Sequence, residues 1–545
     1  MGRTPCELIL RNVRYLDVFS CAWRQGDVSI SQGVIVGLEP GLKAKREIDA
    51  RGKALVPGFI DAHVHVESSL LTPDHFEAAV LPKGTTSAIC DPHELANVLG
   101  VEGLRYFLDA ASELSLDLRV MLSSCVPATH FETNGGGTIS AAQLLPLASH
   151  AKALGLAEMM NVPGVLHADP SVLEKLNAFR GRPIDGHCPL VRGQSLSAYA
   201  AAGISSCHES SEFEEASEKL TKGISVWIRE GSVAKDLHTL APLLTLATST
   251  SMGFCTDDRN PLDIETEGHV DYLVRESIRL GTPPEVAYRS AAWSVARHYG
   301  LSQKGAIAPG YEADLILLGD EKTCAIERVF RLGVPVDELP ASRITAGAVG
   351  NTIRARAPEA ADLAGPAGRV HVIGVRAGRI ITDRQVTDHD AAGVARLSVM
   401  ERYGHGSKPA NGYVSGFGAQ FKGAIASSVG HDSHNLIVAG QNERDMKVAL
   451  NALIESGGGF SVVQGGAVQA LLPLPFGGLM SGKSATELTR ELRKMHAASR
   501  AIGCELPEPF LQLAFLSLPV IPSLKLTDKG LVDVDQFKMI DVRAS

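Results

Sequence analysis

Val-Pro-Gly-Phe-Ile-Asp-Ala-His-Val-His-Val-Glu-Ser-Ser, residues 56–69, places two histidines at the end of an apolar run. His63 and His65 stand two apart, and in an extended strand residues i and i+2 point to one side. Two neutral imidazoles on one side of a strand end make half of a metal site. Taken alone, a His-x-His pair fits a strand with two ordinary histidines just as well. The flanking residues and what lies downstream decide between the two.

Downstream of Pro57, short apolar runs alternate with helical patterns. Strands are predicted near 57–65, 85–91, 117–125, 154–160, 183–188, 203–208, 223–228 and 251–257. Helical patterns fall between them at 74–81, 101–113, 140–153, 170–180, 195–202, 212–221 and 234–245. Eight strand–helix units in succession predict an α/β chain with a (β/α)8 TIM barrel over residues 57–301. Active sites of that fold form at the C-terminal ends of the strands. His63 and His65 close the first strand, and Asp91, His93 and Glu94 follow the second. Glu158 ends the fourth, His187 the fifth, His208 the sixth and Asp257 the eighth. Any one of these is equally a loop or capping residue. The six that end the first, fourth, fifth, sixth and eighth strands supply four imidazoles and two carboxylates, enough for two divalent metals bridged by a carboxylate and a hydroxide.

Upstream, residues 6–55 alternate apolar and polar over short runs at 7–13, 28–30, 34–38 and 46–49, punctuated by Gly26, Gly33, Gly41 and Gly52. This predicts a small antiparallel β unit. After helical patterns over 268–300, residues 305–318 return to strand. The β unit that opens before the barrel is therefore expected to be completed after it, as a discontinuous β-sandwich domain of residues 1–56 plus 302–350. A Gly/Ala/Pro-rich linker over 355–368 leads to an additional C-terminal α/β domain, residues 366–545. Its strands are expected at 370–375, 394–400, 412–416, 423–428, 436–439 and 459–464, and its helices at 443–456 and 485–501. Within it, Ser-Val-Gly-His-Asp-Ser-His-Asn at 428–435 brings His431, Asp432 and His434 together. That segment fits a metal-binding or lid role and fits a polar turn between strands. The glycines at 457–459 and 465–466 lack the spacing of a nucleotide-binding loop.

Composition narrows the function. The chain has 545 residues, a net charge of −9 and a pI near 6.1. Nucleic acid and anionic membranes both call for a basic field, so neither is an expected partner. Nine scattered cysteines without a CxxC pair suggest reduced thiols and a cytoplasmic home. No leader is read at the N-terminus. The apolar stretch 511–522 is too short for a membrane span and carries two prolines.

The run 57–65 and the tail Ala-Pro-Gly-Tyr-Glu-Ala-Asp-Leu at 308–315 together resemble the amidohydrolase superfamily of metal-dependent hydrolases. Many members bridge their metals with a carboxylated lysine on the fourth strand; this chain has Glu158 there. With His-Val-Glu-Ser-Ser at 65–69, Cys-Asp-Pro-His-Glu at 90–94, Asp-Gly-His-Cys-Pro at 185–189 and Thr-Asp-Asp-Arg at 256–259, the chain resembles the bacterial adenine deaminase family over nearly its whole length.

The resemblance implies hydrolytic deamination of adenine to hypoxanthine and ammonia by a hydroxide between two metal ions. His63 and His65 are expected on one ion, His187 and His208 on the other, Glu158 on both, and Asp257 on the first. The ions are expected to be Mn²⁺ or Fe²⁺, with Zn²⁺ also compatible with the ligand set. Asp257 is expected to relay protons. His93 is the candidate donor to a ring nitrogen, with Asp91 or Glu94 orienting it; Glu67 is a weaker candidate that fits a helix cap. Cys90, Cys188, Cys207 and Cys255 are expected to pack between barrel layers, and Asp258 with Arg259 to order a loop as an ion pair. A homo-oligomer, a dimer, is expected from the family. Two other functions compete: hydrolysis of a cyclic amide, as in dihydroorotase-like or hydantoinase-like relatives, and a non-catalytic scaffold of the same fold.

Overall fold

Eight parallel strands carry the candidate site residues: Phe59–Val64, Thr85–Cys90, Asp117–Leu122, Ala153–Met159, Ile184–Gly186, Ser206–Cys207, Ser225–Arg229 and Met252–Cys255. The computed structural model describes residues 4–544 apart from 346, 348 and 407. Residues 1–3, 346, 348, 407 and 545, which fall in the expected domain spans, lie outside the described residues. The first five strands pair in sequence order as one parallel sheet and the last three as another. Backbone hydrogen bonds cross both seams. Ser205 N donates to Ile184 O (3.0 Å) between the fifth and sixth strands. Between the eighth and the first, Asp257 N donates to His63 O (3.0 Å) and His65 N to Asp257 O (3.3 Å). The parallel sheet is thus curled, with its first and last strands side by side.

The strands are buried along most of their length, which is why they read as apolar runs rather than alternations. Side chains from six of them meet in one core cluster: Ile60 and Ala62, Ile89, Met121, Ala157, Trp227 and Cys255. Two expected helices are shorter than their patterns suggest. The 140–153 segment is a helix at Ala141–Leu144 and a 3-10 turn at Leu147–Ser149, split at Pro146. The 234–245 segment is a helix at Leu237–Leu240 that tightens to 3-10 at Ala241–Leu243, around Pro242. Proline removes a helical donor and clashes with the preceding turn.

The flanking sheet takes Cys6–Asp17, Ala22–Ser31, Val34–Gly37, Ala44–Asp49 and Ala54–Pro57 from before the parallel strands, and Leu315–Asp320, Ala325–Arg331 and Val334–Pro335 from after them. Leu315 faces Pro57 and Leu317 faces Leu55 in an antiparallel pair, which joins the two halves. The pairing is mixed rather than antiparallel throughout. Ala44–Asp49 and Ala54–Pro57 both run parallel to Cys6–Asp17, the first beside Cys6–Arg11 and the second, continuing in the same direction, beside Arg14 and Tyr15. The strand expected over 305–318 begins only at Leu315. The residues before it form turns around a buried ammonium. Lys304 Nζ lies 2.9 Å from Asp314, 2.6 Å from Glu312 and 3.2 Å from Asp117 of the third parallel strand.

The C-terminal residues form an eight-stranded sheet in the order Thr382–Asp388, Arg369–Val375, Ala410–Ser415, Val394–Met400, Leu436–Gly440, Ala424–Ser427, Gly459–Gln464 and Ala467–Pro473. Helices Glu443–Ser456 and Ala485–Ala501 pack on it, and a three-stranded sheet over Leu524–Ile540 follows. Thr382–Asp388 and Ala467–Pro473 escape the sequence reading because they are edge strands. Their side chains are largely solvated, so no apolar face announces them. Among the described residues, no helix is long and apolar enough to cross a membrane.

The Lys304 cluster yields a stability prediction. Burial alone would raise the Asp117 carboxyl; Lys304, Lys152 and Arg119 outweigh it and hold the group well below its usual range. Burial likewise opposes ionisation of Asp314, and Lys304 and Arg331 outweigh it. Depressed carboxyl pKa values contribute stability that is present above the unfolded value near ~3.9 and is lost as pH falls through the folded one. Lys304→Met leaves buried carboxylates underpaired and is expected to cost about 3–5 kcal/mol in denaturant unfolding at pH 7. The same variant should lose less stability on acidification below about pH 4 than the wild type does.

Candidate metal centre and active site

Glu158, at the end of the fourth parallel strand, lies between two groups of histidines. Its Oε1 is 3.7 Å from His63 Nε2, 3.3 Å from His65 Nε2 and 3.3 Å from His93 Nδ1. Its Oε2 is 2.6 Å from His187 Nδ1 and 3.2 Å from His208 Nε2. Asp257 Oδ1 completes the first group, 3.5 Å from His63 Nε2 and 3.3 Å from His65 Nε2. Asp257 adopts φ 52°, the left-handed region that Asp tolerates better than most residues. The structure therefore brings His63, His65, Glu158, His187, His208 and Asp257 to one buried place.

The arrangement suits cations. His63 Nε2 and His65 Nε2 face each other at 3.2 Å. His65 Nδ1 donates to the Asp91 carbonyl (2.9 Å), so in the neutral ring its Nε2 lone pair faces the cluster. His187 Nε2 is buried without a hydrogen-bond partner. Donor atoms close enough to share an ion include His63 with His65 and Asp257, His63 with Glu158 and His208, and His187 with His208 and Glu209. Beneath them, Asp61 ties the first strand to the eighth: it accepts from His63 N (3.2 Å), Thr256 N (3.1 Å) and Thr256 Oγ1 (2.5 Å).

Asp91 and Glu94 divide the work left open between them. Asp91 Oδ2 faces His93 Nδ1 at 3.1 Å, while Asp91 Oδ1 accepts from Ser123 Oγ (2.8 Å). Burial alone would lower the His93 pKa; Asp91 and Asp432 outweigh it and hold the ring well above its ordinary value. Glu94 turns the other way. Its Oε1 lies 2.9 Å from Ser68 Oγ and faces His431 Nδ1 at 3.0 Å. Burial opposes both charges of this pair, yet His431 holds Glu94 far below its usual range, and Glu94 with Asp258 carries His431 up to about 9. Glu67 is a cap, though of a later helix than its own position suggests. Its Oε1 accepts from Leu95 N in the first turn of His93–Leu99, and burial with the Glu94 charge pushes its pKa up to about 8.

Asp258 and Arg259 do not pair with each other. Asp258 accepts from Ser68 Oγ (2.5 Å), whereas Arg259 binds Glu267 (2.6 Å) and the carbonyls of Glu230 and Gly268. Adjacent residues at a strand end point to different sides, which separates them. Cys90, Cys188, Cys207 and Cys255 are buried and free.

Three groups at the site escape the sequence reading. Glu209 directly follows His208 and joins the His187–His208 cluster. Arg229, from the seventh strand, pairs with Glu209, with Asp236 (3.1 Å) and with Asp257 Oδ2 (3.2 Å). The available signal was position alone: each sits at a strand end. The third group is the apolar wall of Ile380, Phe515, Leu518 and Ile521 from the C-terminal residues; it joins His431 and Asp432, for which the sequence offers a metal-binding or lid role. Ile380, His431, Asp432, Phe515, Leu518 and Ile521 close the open side of the site, leaving a cavity of about 30 Å³. The 428–435 segment thus reaches the site rather than forming a remote polar turn.

Comparisons with known proteins bear on the family of the chain. The amidohydrolase family model matches residues 54–336, and the adenine deaminase C-terminal domain model matches residues 375–538. A protein named adenine deaminase from Methylobacterium nodulans is 50% identical over 554 residues, covering 99% of this chain and 98% of its own. One of the same name from Cereibacter sphaeroides is 50% identical over 553 residues, with the same coverage. Among solved structures, N-acetyl-D-glucosamine-6-phosphate deacetylase from Mycobacterium smegmatis aligns with a TM-score of 0.46 and 17% identity, covering 61% of this chain and 100% of its own.

Glu158→Gln keeps the side-chain shape and removes the charge that both histidine groups face. Elemental analysis of the purified variant is expected to show at least about half of the bound metal lost relative to the wild type. Full metal content would count against Glu158 as a shared ligand.

Proposed function

The chain belongs to the adenine deaminase family of the amidohydrolases, and from that premise we propose that it hydrolyses adenine to hypoxanthine and ammonia. The observation that carries this reading is identity of 50% over 99% of the chain to proteins of that name, C-terminal domain included. The buried cluster around Glu158 supports it, and it also weighs against the scaffold reading, which expects ligands to be missing. Glu158 in place of a lysine weighs against the cyclic-amide reading. We further read the curled parallel sheet as a closed (β/α)8 barrel spanning 57–301. It is flanked by a composite β-sandwich domain of 1–56 plus 302–350 and followed by the C-terminal α/β domain, 366–545.

In this proposal His63 and His65 would hold one divalent ion and His187 and His208 the other, with Glu158 shared between them and Asp257 beside the first. When bound, such ions lower the pKa of water from 15.7 toward ~7, which supplies hydroxide at neutral pH. Mn²⁺ or Fe²⁺ suit this mixture of imidazole and carboxylate donors, as does Zn²⁺.

The chain's own residues direct the rest. As a C–O bond forms at C6, electron density moves onto a ring nitrogen. His93 donates a proton there, its Nδ1 held by Asp91 (3.1 Å) so that Nε2 faces the cavity. Asp257 takes the remaining proton of the attacking oxygen and delivers it to the amino group, which leaves as ammonia when the C6–N bond breaks. Arg229 anchors Asp257 through Oδ2 (3.2 Å), which leaves Oδ1 for this transfer. The proton that His93 gives up is replaced by the one that water sheds on ionising, so adenine and water balance hypoxanthine and ammonia. The apolar wall of Ile380, Phe515, Leu518 and Ile521 keeps bulk water out while this happens. A homodimer in the cytoplasm is the proposed assembly and location; nine free cysteines are in keeping with a reducing compartment.

Holoenzyme reconstituted with Mn²⁺ or Fe²⁺ is expected to release ammonia and hypoxanthine from adenine in equal amounts and to leave dihydropyrimidines intact. Ring opening of a dihydropyrimidine without adenine turnover would replace this reading with the cyclic-amide one. Asp257→Asn is expected to keep its metal while kcat falls by about 10²–10⁴; a metal-loaded, fully active variant would remove Asp257 from the proton path.

A further inference from the structure

Asp432 is a buried carboxylate with an unused face. It is 2% exposed, its Oδ1 lies 3.7 Å from His93 Nε2, and its Oδ2 has no hydrogen-bond partner. It lines the same cavity as His65, His93, Glu158 and Asp257. Among the described residues it belongs to none of the groups placed to share a metal ion. The segment that carries it is fixed on every side. His431 pairs with Glu94 (3.0 Å) and stacks on Phe515, ring centroids 4.6 Å apart. The Tyr403 hydroxyl donates to Ser433 O, and Asn435 Nδ2 donates to Thr133 O (2.8 Å) and Asp528 Oδ1 (3.1 Å). A carboxylate held this firmly in a dry cavity, with one oxygen unsatisfied, is costly unless a ligand completes it.

We propose that Asp432 is a substrate-contacting residue: its free oxygen accepts an N–H of the bound base, so the C-terminal sheet supplies part of the recognition surface. This rests on the adenine reading above. A neutral base offers N–H donors at its exocyclic amine and on its five-membered ring, and an acceptor-only carboxylate selects for a donor. The other cavity-lining carboxylates, Glu158, Glu209, Asp257 and Asp258, are each engaged by histidine, arginine or serine. Asp432 differs from them in having a buried oxygen, Oδ2, without a hydrogen-bond partner.

The test uses metal-loaded wild type, Asp432→Ala and the isosteric Asp432→Asn, with metal content measured for each. Binding of adenine, 9-methyladenine and N6-methyladenine is read as inhibition constants or by calorimetry. The wild type is expected to bind at least one methylated base about tenfold more weakly than adenine, and Asp432→Ala to shrink that gap to below about threefold. KM for adenine should rise about tenfold or more in both variants at unchanged metal content. Equal losses for all three bases, or kcat/KM for Asp432→Asn within about twofold of wild type, would overturn the proposal. Should the wild type release no ammonia from adenine, the deaminase reading fails. Adenine binding by wild type and Asp432→Ala still decides the contact, equal affinities overturning it.

Discussion

The Glu158 carboxylate is the constraint from which the rest follows. Buried at the end of a parallel strand, it is tolerated only because donors surround both of its oxygens. Three imidazoles face one oxygen and two face the other, and they come from the first, second, fifth and sixth strand ends. Those ends converge on the fourth strand only if the sheet curls. Asp257 adds a second negative charge from the eighth strand, at the seam where backbone bonds join it to the first. Arg229 supplies the permanent positive charge that keeps Asp257, Asp236 and Glu209 compatible in one dry space.

How far this was legible from sequence depends on the kind of signal. The eight strands and the histidines and carboxylates at their ends were legible because chain order fixes strand ends and strand ends fix the site. Glu158, His187 and His208 lie far apart in sequence yet need only that rule. Direction was not legible. Asp91 and Glu94 are three residues apart and both acidic, yet one holds His93 and the other pairs with His431. Asp258 and Arg259 look like an ion pair in one dimension and face different partners in three. Glu209 was hidden beside a more conspicuous histidine. Edge strands such as Thr382–Asp388 were hidden because solvent, not a core, surrounds their side chains.

The segment at 428–435 shows the limit most clearly. Its histidines and aspartate carry no periodicity, and a polar turn accounts for the composition. Only the packing of the C-terminal sheet against the parallel strands brings His431 to Glu94 and Asp432 to His93. With Ile380, Phe515, Leu518 and Ile521 the same sheet leaves room for about two waters by the usual measure. The boundary of the site is therefore drawn by the C-terminal residues as well as by the strand ends that carry the histidines.

The antiparallel pair between Ala54–Pro57 and Leu315–Asp320 has a consequence for how the chain is made. The two partners are separated by roughly 260 residues, with all eight parallel strands between them. At about 5–20 residues per second, the earlier strand emerges from the ribosome tens of seconds before the later one exists. The hairpin Cys6–Asp17 with Ala22–Ser31 can form at once, but its sheet keeps an open edge throughout that interval. An unpaired edge is where chains stick to one another. The edge is covered only when the parallel strands have been made and folded back, so the last step of this sheet reports on everything synthesised between its halves.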